Sequence, residues 1–514
     1  MGALEQLLVL FVAAVLLAAA ARRVGAPYPV FLALGGALLA FVPAAPSFTL
    51  PPELALALFV APVLLDAAFD ASVRDVRDNW APVTGLVVFA VGLTTLAVAI
   101  VARALMPSMP WAPAIALGAI VAPPDAVAAT AVLRPLRPPH RILTVLEGES
   151  LLNDASALLI YRLAVGAVAA GGLSPGAVAP AFLFAVAGSV MVGPALGWLM
   201  LQVLDRVQHV PTAIILQFVA TFGVWILAEQ IGLSAVLTMV CFAVMSARTA
   251  PERTPARIRI PTYAVWESAV FALNILAFIF IGLQLRPILE SLDAADRGRY
   301  LAVGGAVLLT VIVVRFAWHM PFNAVMRWRH RRFGFQPPRP MLRPTIGSGL
   351  LISWAGMRGI VSLAAAMALP AAFPYRDLIV LTTFLVVLGT LTIQGLTLKP
   401  LLRALDLHDG DPVGQETELA RARALQAALA TLDGDGSPAA EAVREELATH
   451  LAQAASETGD GSRRSVHAAM HRRAVSEARS AVFEMRARGE IGDNAFHRLE
   501  EELDWVELGS GGRG

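Results

Sequence analysis

About thirteen apolar stretches dominate this chain, and each comes close to the roughly 20 residues a helix needs to cross a bilayer. Their approximate limits are 4–21, 28–44, 52–72, 81–106, 111–133, 144–170, 176–204, 210–230, 232–248, 265–288, 300–325, 344–369 and 377–402. With 57% hydrophobic and only 15% charged residues over 514 positions, and a mean hydropathy of +0.66, the chain is too apolar for a soluble protein of its length. The expected fold class is an all-α polytopic membrane protein. The formal charge of +1 says little about partners, because the charges are unevenly placed.

Alternate loops collect arginine: Arg22 and Arg23; Arg74 and Arg77; Arg134, Arg137 and Arg141; Arg206; Arg248, Arg253, Arg257 and Arg259; then Arg327, Arg329, Arg331, Arg332, Arg339 and Arg343. The loops between them are nearly free of it, Arg297, Arg299 and Arg376 being the main exceptions. Short cytoplasmic loops hold such an excess. An odd number of spans therefore places the N-terminus outside and the C-terminus in the cytoplasm, in a multi-pass membrane protein. The leading helix lacks the basic start of a secretory signal, and is expected to be retained. Cys241 is the single cysteine, so no internal disulfide can form.

After about residue 408 the composition turns charged and alanine-rich, with breaks at 433–437 and 457–462. Two domains follow: a transmembrane unit over 1–408 and a cytoplasmic helical tail over 409–514. The tail is open to two readings, a solvated helical appendage or a regulatory or dimer-contacting element.

Ionisable residues within the spans are costly at bilayer depth and mark function by default. The sixth span begins LEGESLLNDASALLIY, residues 146–161. On a helix Ser150 and Asp154 share one face, and Glu149 and Asn153 the next. Glu147 reads as interfacial. Asp66 lies deep in the third span without a local cation, whereas Asp70 reaches toward Arg74 and Arg77. Arg162, Arg315 and Arg358 also fall in apolar runs and need acids, carbonyls or helix ends. Polar residues such as Gln217 and Gln394 read as interhelical hydrogen-bonding groups.

Two spans carry the marks of broken helices. In the fifth, Pro123 and Pro124 immediately precede Asp125, and proline removes an amide donor and disfavours helix at the residue before it. In the twelfth, Gly356 and Gly359 bracket Met357 and Arg358. These are corresponding places if spans 1–6 and 8–13 are repeats. With six helices per repeat and one between, the second copy runs inverted, and such pairs of interrupted helices point to a transporter's binding site.

Taken together, these stretches resemble the bacterial branch of the cation/proton antiporter-1 family, the sodium/proton exchangers. The likeness covers nearly all of 1–408, and its most specific piece is GESLLNDASAL, residues 148–158. The stretch 489–504 is similar to the tails of this branch. The resemblance implies thirteen spans, two inverted six-helix repeats with crossing unwound helices, and a homodimer. It also implies an antiporter rather than an enzyme, with sodium and protons as substrates, the bilayer as its setting, and neither cofactor nor nucleic acid.

Carried over by position, the resemblance makes Asp154 the carboxylate that binds proton or cation, Ser150 a side-chain ligand, and Asn153 the neutral neighbour associated with electroneutral exchange. Asp125 matches the aspartate of the unwound fifth helix, Asp66 an acid that holds a water at the site, and Glu149 the partner of an arginine, for which Arg358 is the candidate. Where the family commonly has threonine-aspartate-proline, this chain has Pro124-Asp125-Ala126. Proline 124 keeps the backbone carbonyl that would serve as a ligand. A hard cation such as sodium, or lithium or potassium, favours such an oxygen set. Two other classes stay open on the residues alone: a cation channel using the acids as a selectivity ring, and an intramembrane hydrolase using Asp66, Asp125 and Asp154.

Overall fold

The computed structural model describes residues 3–42, 51–70, 74, 78–169, 175–290, 292, 294–334, 343–407, 410–434, 437–456, 461–488, 490, 495–496, 499–500 and 502–504. Arg77, Arg339, the side chain of Asp70 and half of 489–504 lie outside them. Lipid offers no partner to a backbone amide or carbonyl, so apolar runs satisfy their own backbone as helices, and a helix or a pair of half-helices lies over each of the thirteen ranges read from the sequence. Among the described residues, seven helices are long and apolar enough to cross a membrane.

In chain order the elements are α1 (Ala3–Val24), α2 (Tyr28–Leu39), α3 (Pro52–Asp70) and α4 (Trp80–Leu105), the last containing a π-helical turn over Gly85–Ala90. The fifth span is two pieces, α5 (Trp111–Val121) and α6 (Ala126–Leu133). After it come α7 (His140–Ala169), α8 (Pro175–Leu204), α9 (Val210–Gln230), α10 (Ala235–Arg253), α11 (Ala256–Leu283) and the long α12 (Ala294–Phe333). The twelfth span is again two pieces, α13 (Ile346–Trp354) and α14 (Ile360–Met367), and α15 (Arg376–Leu405) ends the set.

Helix pairing repeats between the halves. As α2 packs on α11, so α10 packs on α3; as α4 packs on α5, so α12 packs on α13; and α6 meets α7 as α14 meets α15. These are the equivalences that two six-helix repeats separated by α8 require. Some contacts are backbone to backbone. A Cβ on Gly36 would lie 2.3 Å from the Ile279 carbonyl oxygen, and one on Gly282 would lie 2.2 Å from that of Ala33. Without a hydrophobic force between helices in lipid, such small-residue seams give the close packing that holds them.

Outward faces are apolar. Leu16, Met191, Ile215 and Leu309 are all more than 60% exposed, which is the inverse of a soluble surface and marks contact with lipid. Many of the buried polar side chains lie instead on α7, α12, α13, α14 and α15. The chain divides into two compact units, Met1–Gly410 and Asp411–Gly514. The second consists of helices, among them α16 (Pro412–Ala430), α17 (Pro438–Ser456) and α18 (Gly461–Ala487).

Candidate functional site

Both broken helices stop where their sequences predict, and the two breaks touch. After Val121 the chain leaves helical geometry through Pro123 and Pro124 and re-enters it at Ala126. Asp125 caps the second piece: its Oδ1 accepts from the Val127 amide at 2.9 Å, as an N-cap carboxylate does. The Asp125 amide donates to the Met357 carbonyl at 2.6 Å, which joins one interruption directly to the other. Gly359 lets them approach this closely. A Cβ there would fall 1.7 Å from Asp125 Oδ2.

Arg358 lies within this crossing and is 1% exposed. Its Nε donates to the Val121 carbonyl at 3.0 Å and its Nη2 to that of Ala122 at 3.3 Å, while Nη1 donates to the Gly356 carbonyl. The guanidinium thus occupies the carbonyl end of α5, where a helix carries partial negative charge and orphan acceptors. The Arg358 amide donates to Thr390 Oγ1 on α15 at 3.0 Å. Each exposed helix end is thereby matched by an opposite charge, Arg358 on the carbonyl side and Asp125 on the amide side.

Glu149 does not pair with Arg358. Its carboxylate meets Arg315 of α12 in a two-pronged contact, Nη1 to Oε1 at 2.5 Å and Nη2 to Oε2 at 2.7 Å, with the two side chains 1% and 4% exposed. Arg315 also donates to the Ile352 carbonyl at the end of α13. The expected pairing is corrected for a geometric reason. Arg358 is held at the end of α5 by the Val121 and Ala122 carbonyls and by that of Gly356, whereas Arg315 presents the planar fork that a carboxylate matches. The need of a mid-span arginine for a partner was legible in the sequence; which acid served it was not.

On α7, Asp154 is buried, at 8% exposure, and Asn153 is fully buried with neither amide atom hydrogen-bonded. Asp125 lies within electrostatic reach of Asp154. Ser150, one turn before Asp154, accepts from the Ala126 amide at 3.3 Å and ties α7 to the start of α6. Asp154, Ser150 and Asp125 therefore stand together, with the buried Pro124 beside them at the break. Asp66 is half-buried on α3, which packs against α7 and α14. Four of the five expected ligand positions belong to the crossing, and the fifth lies on a helix bordering it. Such a cluster of oxygen atoms suits a hard monovalent cation or a proton, and a carboxylate removed from water calls for one or the other.

The remaining polar residues sort out around this centre. Glu147 pairs with the exposed Arg134 at 3.0 Å, in keeping with an interfacial place. Arg162 donates to the Leu233 carbonyl at 2.9 Å and faces Glu229 at 3.6 Å. Gln217 accepts from Trp266 Nε1 at 3.0 Å across two helices. Gln394 is fully buried without a hydrogen bond, so it does not serve as interhelical glue. Thr390 was missed in the sequence, because a threonine in an apolar helix carries no signal of its own.

Residues 8–404 match the family model described as the transmembrane sodium/hydrogen exchanger. The chain is 33% identical over 80% of its length to an uncharacterised Na+/H+ exchanger of Mycobacterium tuberculosis, covering 76% of that protein. It is 28% identical over 94% of its length to a sodium, potassium, lithium and rubidium/H+ antiporter of Bacillus subtilis, covering 74% of it. Among solved structures, the sodium proton antiporter of Methanocaldococcus jannaschii matches with a TM-score of 0.60 at 16% identity, over 78% of this chain and 98% of that one. That last likeness is one of fold.

Proposed function

The chain belongs to the sodium/hydrogen exchanger family, and from that premise we propose that it exchanges sodium for protons across the inner membrane by competition at Asp154. The observation that carries the proposal is the junction of the two broken helices, where the Asp125 amide meets the Met357 carbonyl beside Ser150 and the buried Asp154. Interrupted helices at mid-membrane build ion sites in secondary transporters.

In this reading Asp154 holds either a proton or the cation. Ser150 Oγ, an Asp125 carboxylate oxygen, the Pro124 carbonyl and a water held by Asp66 supply the other oxygens. The surrounding charges stay fixed through the cycle: Glu149 is bound to Arg315, Arg358 to the end of α5, and Asn153 is neutral. One positive charge is exchanged for another at Asp154, so transport is electroneutral, one for one. Lithium or potassium would compete for the same oxygens, since nothing in a set of carboxylate, hydroxyl and carbonyl excludes them.

Access alternates as the helices around the crossing move against α1–α3 and α8–α11, which would form the scaffold of a homodimer. The arginine-bearing loops face the cytoplasm, with the start of α1 outside and the tail inside. Acid-loaded proteoliposomes test the reading: external sodium should dissipate the proton gradient without generating a membrane potential, and a diffusion potential set by a permeant anion should leave the initial rate unchanged. Cation uptake without counterflow of protons would overturn it.

A further inference from the structure

At the arginine-bearing end of the same helices lies a second polar cluster, distinct from the ion crossing. Arg141, the second residue of α7, is only 7% exposed, and His319 of α12 is 2% exposed. Neither Nε nor Nη1 of Arg141 has a hydrogen-bond partner, and the same is true of both ring nitrogens of His319. Arg141 acts electrostatically on the His319 ring together with Arg315, and on the His330 ring together with Arg329 and Arg343. Among the described residues, arginines from α7, from α12 and from the segment leading into α13 act on these two rings. The carboxylate of Glu149 is already taken by Arg315.

A guanidinium buried without an anion is strongly unfavourable, because water can satisfy its N–H groups but cannot neutralise its charge. The geometry points to an anion site of the phosphate class here, with Arg141 as its buried charge and His319 as a further donor. Donors on Arg141 point in more than one direction, and an anion bearing several acceptor oxygens meets them better than a halide does. Basic pockets between membrane helices on the cytoplasmic side take lipid headgroup phosphates, and soluble phosphate offers the same oxygens. Occupancy would join α7 to α12 just below the Glu149–Arg315 pair and so brace the crossing from behind.

The full-length protein in nanodiscs of neutral phosphatidylcholine tests this by thermal stability. Inorganic phosphate is titrated against chloride at equal ionic strength, and in a second arm phosphatidylglycerol replaces part of the lipid. Phosphate or phosphatidylglycerol should raise the melting temperature of the wild type. Arg141→Gln should weaken the apparent affinity by about tenfold or more, the worth of a lost charge-assisted contact. Arg286→Gln, at an exposed ion pair, should respond as the wild type does. A response to inorganic phosphate identifies a free anion, and a response confined to phosphatidylglycerol discs identifies a headgroup. If Arg141→Gln does not fold, His319→Leu carries the comparison and should likewise weaken binding. An equal shift by chloride, an unchanged response in the variants, or no response in either arm overturns the assignment.

Discussion

Gly359→Ala tests the helix crossing with a single methyl group. The added carbon would stand 1.7 Å from Asp125 Oδ2, 2.5 Å from its Cγ and 2.9 Å from its Cβ. To reach ordinary contact the carboxylate must retreat by about 1.5 Å or more. Two bonds oppose that motion, the 2.9 Å cap to the Val127 amide and the 2.6 Å bond from the Asp125 amide to Met357. Losing the cap costs about 1 kcal/mol, which in a unit of this size lowers the melting temperature by no more than a few degrees. The effect on exchange should be far larger, because moving a ligand carboxylate by more than 1 Å is worth about a hundredfold in rate. Initial rates of sodium-dependent fluorescence dequenching in proteoliposomes, beside melting curves and size-exclusion profiles, separate the two effects. Exchange within a few-fold of wild type would show that the position of Asp125 is not demanding, and the ligand set would have to be redrawn.

Asp154→Asn should abolish cation-dependent proton flux at every pH while leaving the elution profile in detergent unchanged; exchange that persists would remove Asp154 from its role. Glu149→Gln and Arg315→Met should each destabilise the protein by about 3–5 kcal/mol, since each strands a buried charge, whereas the double variant should lie closer to wild type. Thermal denaturation in detergent reads this cycle, and single variants as stable as wild type would argue against a coupled pair. Arg358→Leu leaves the Val121 and Ala122 carbonyls without their donor and should cost about 1–3 kcal/mol. In the same assay, an unchanged melting temperature would mean that the end of α5 finds another partner.

The positions of the helices and of their two interruptions were legible in the chain because their causes are local. A run of about 20 apolar residues has no way to satisfy its backbone in lipid other than as a helix. Consecutive prolines at 123 and 124, or glycines around Arg358, break that helix wherever the fold places it. The spacing of Ser150 and Asp154 likewise set them on one face whatever surrounds α7. Charge pairing is not local. Arg315 and Arg358 are both buried mid-span arginines, and either could have answered Glu149. The choice fell to Arg315, 166 residues away, because α12 delivers its fork to the carboxylate while the break after Val121 offers Arg358 free carbonyls. Sequence alone therefore determined which stretches form apolar helices, where two of them are interrupted and which carboxylates they carry. Only the packing of distant helices decided how each buried charge is answered, since that depends on separations and directions that no local pattern encodes.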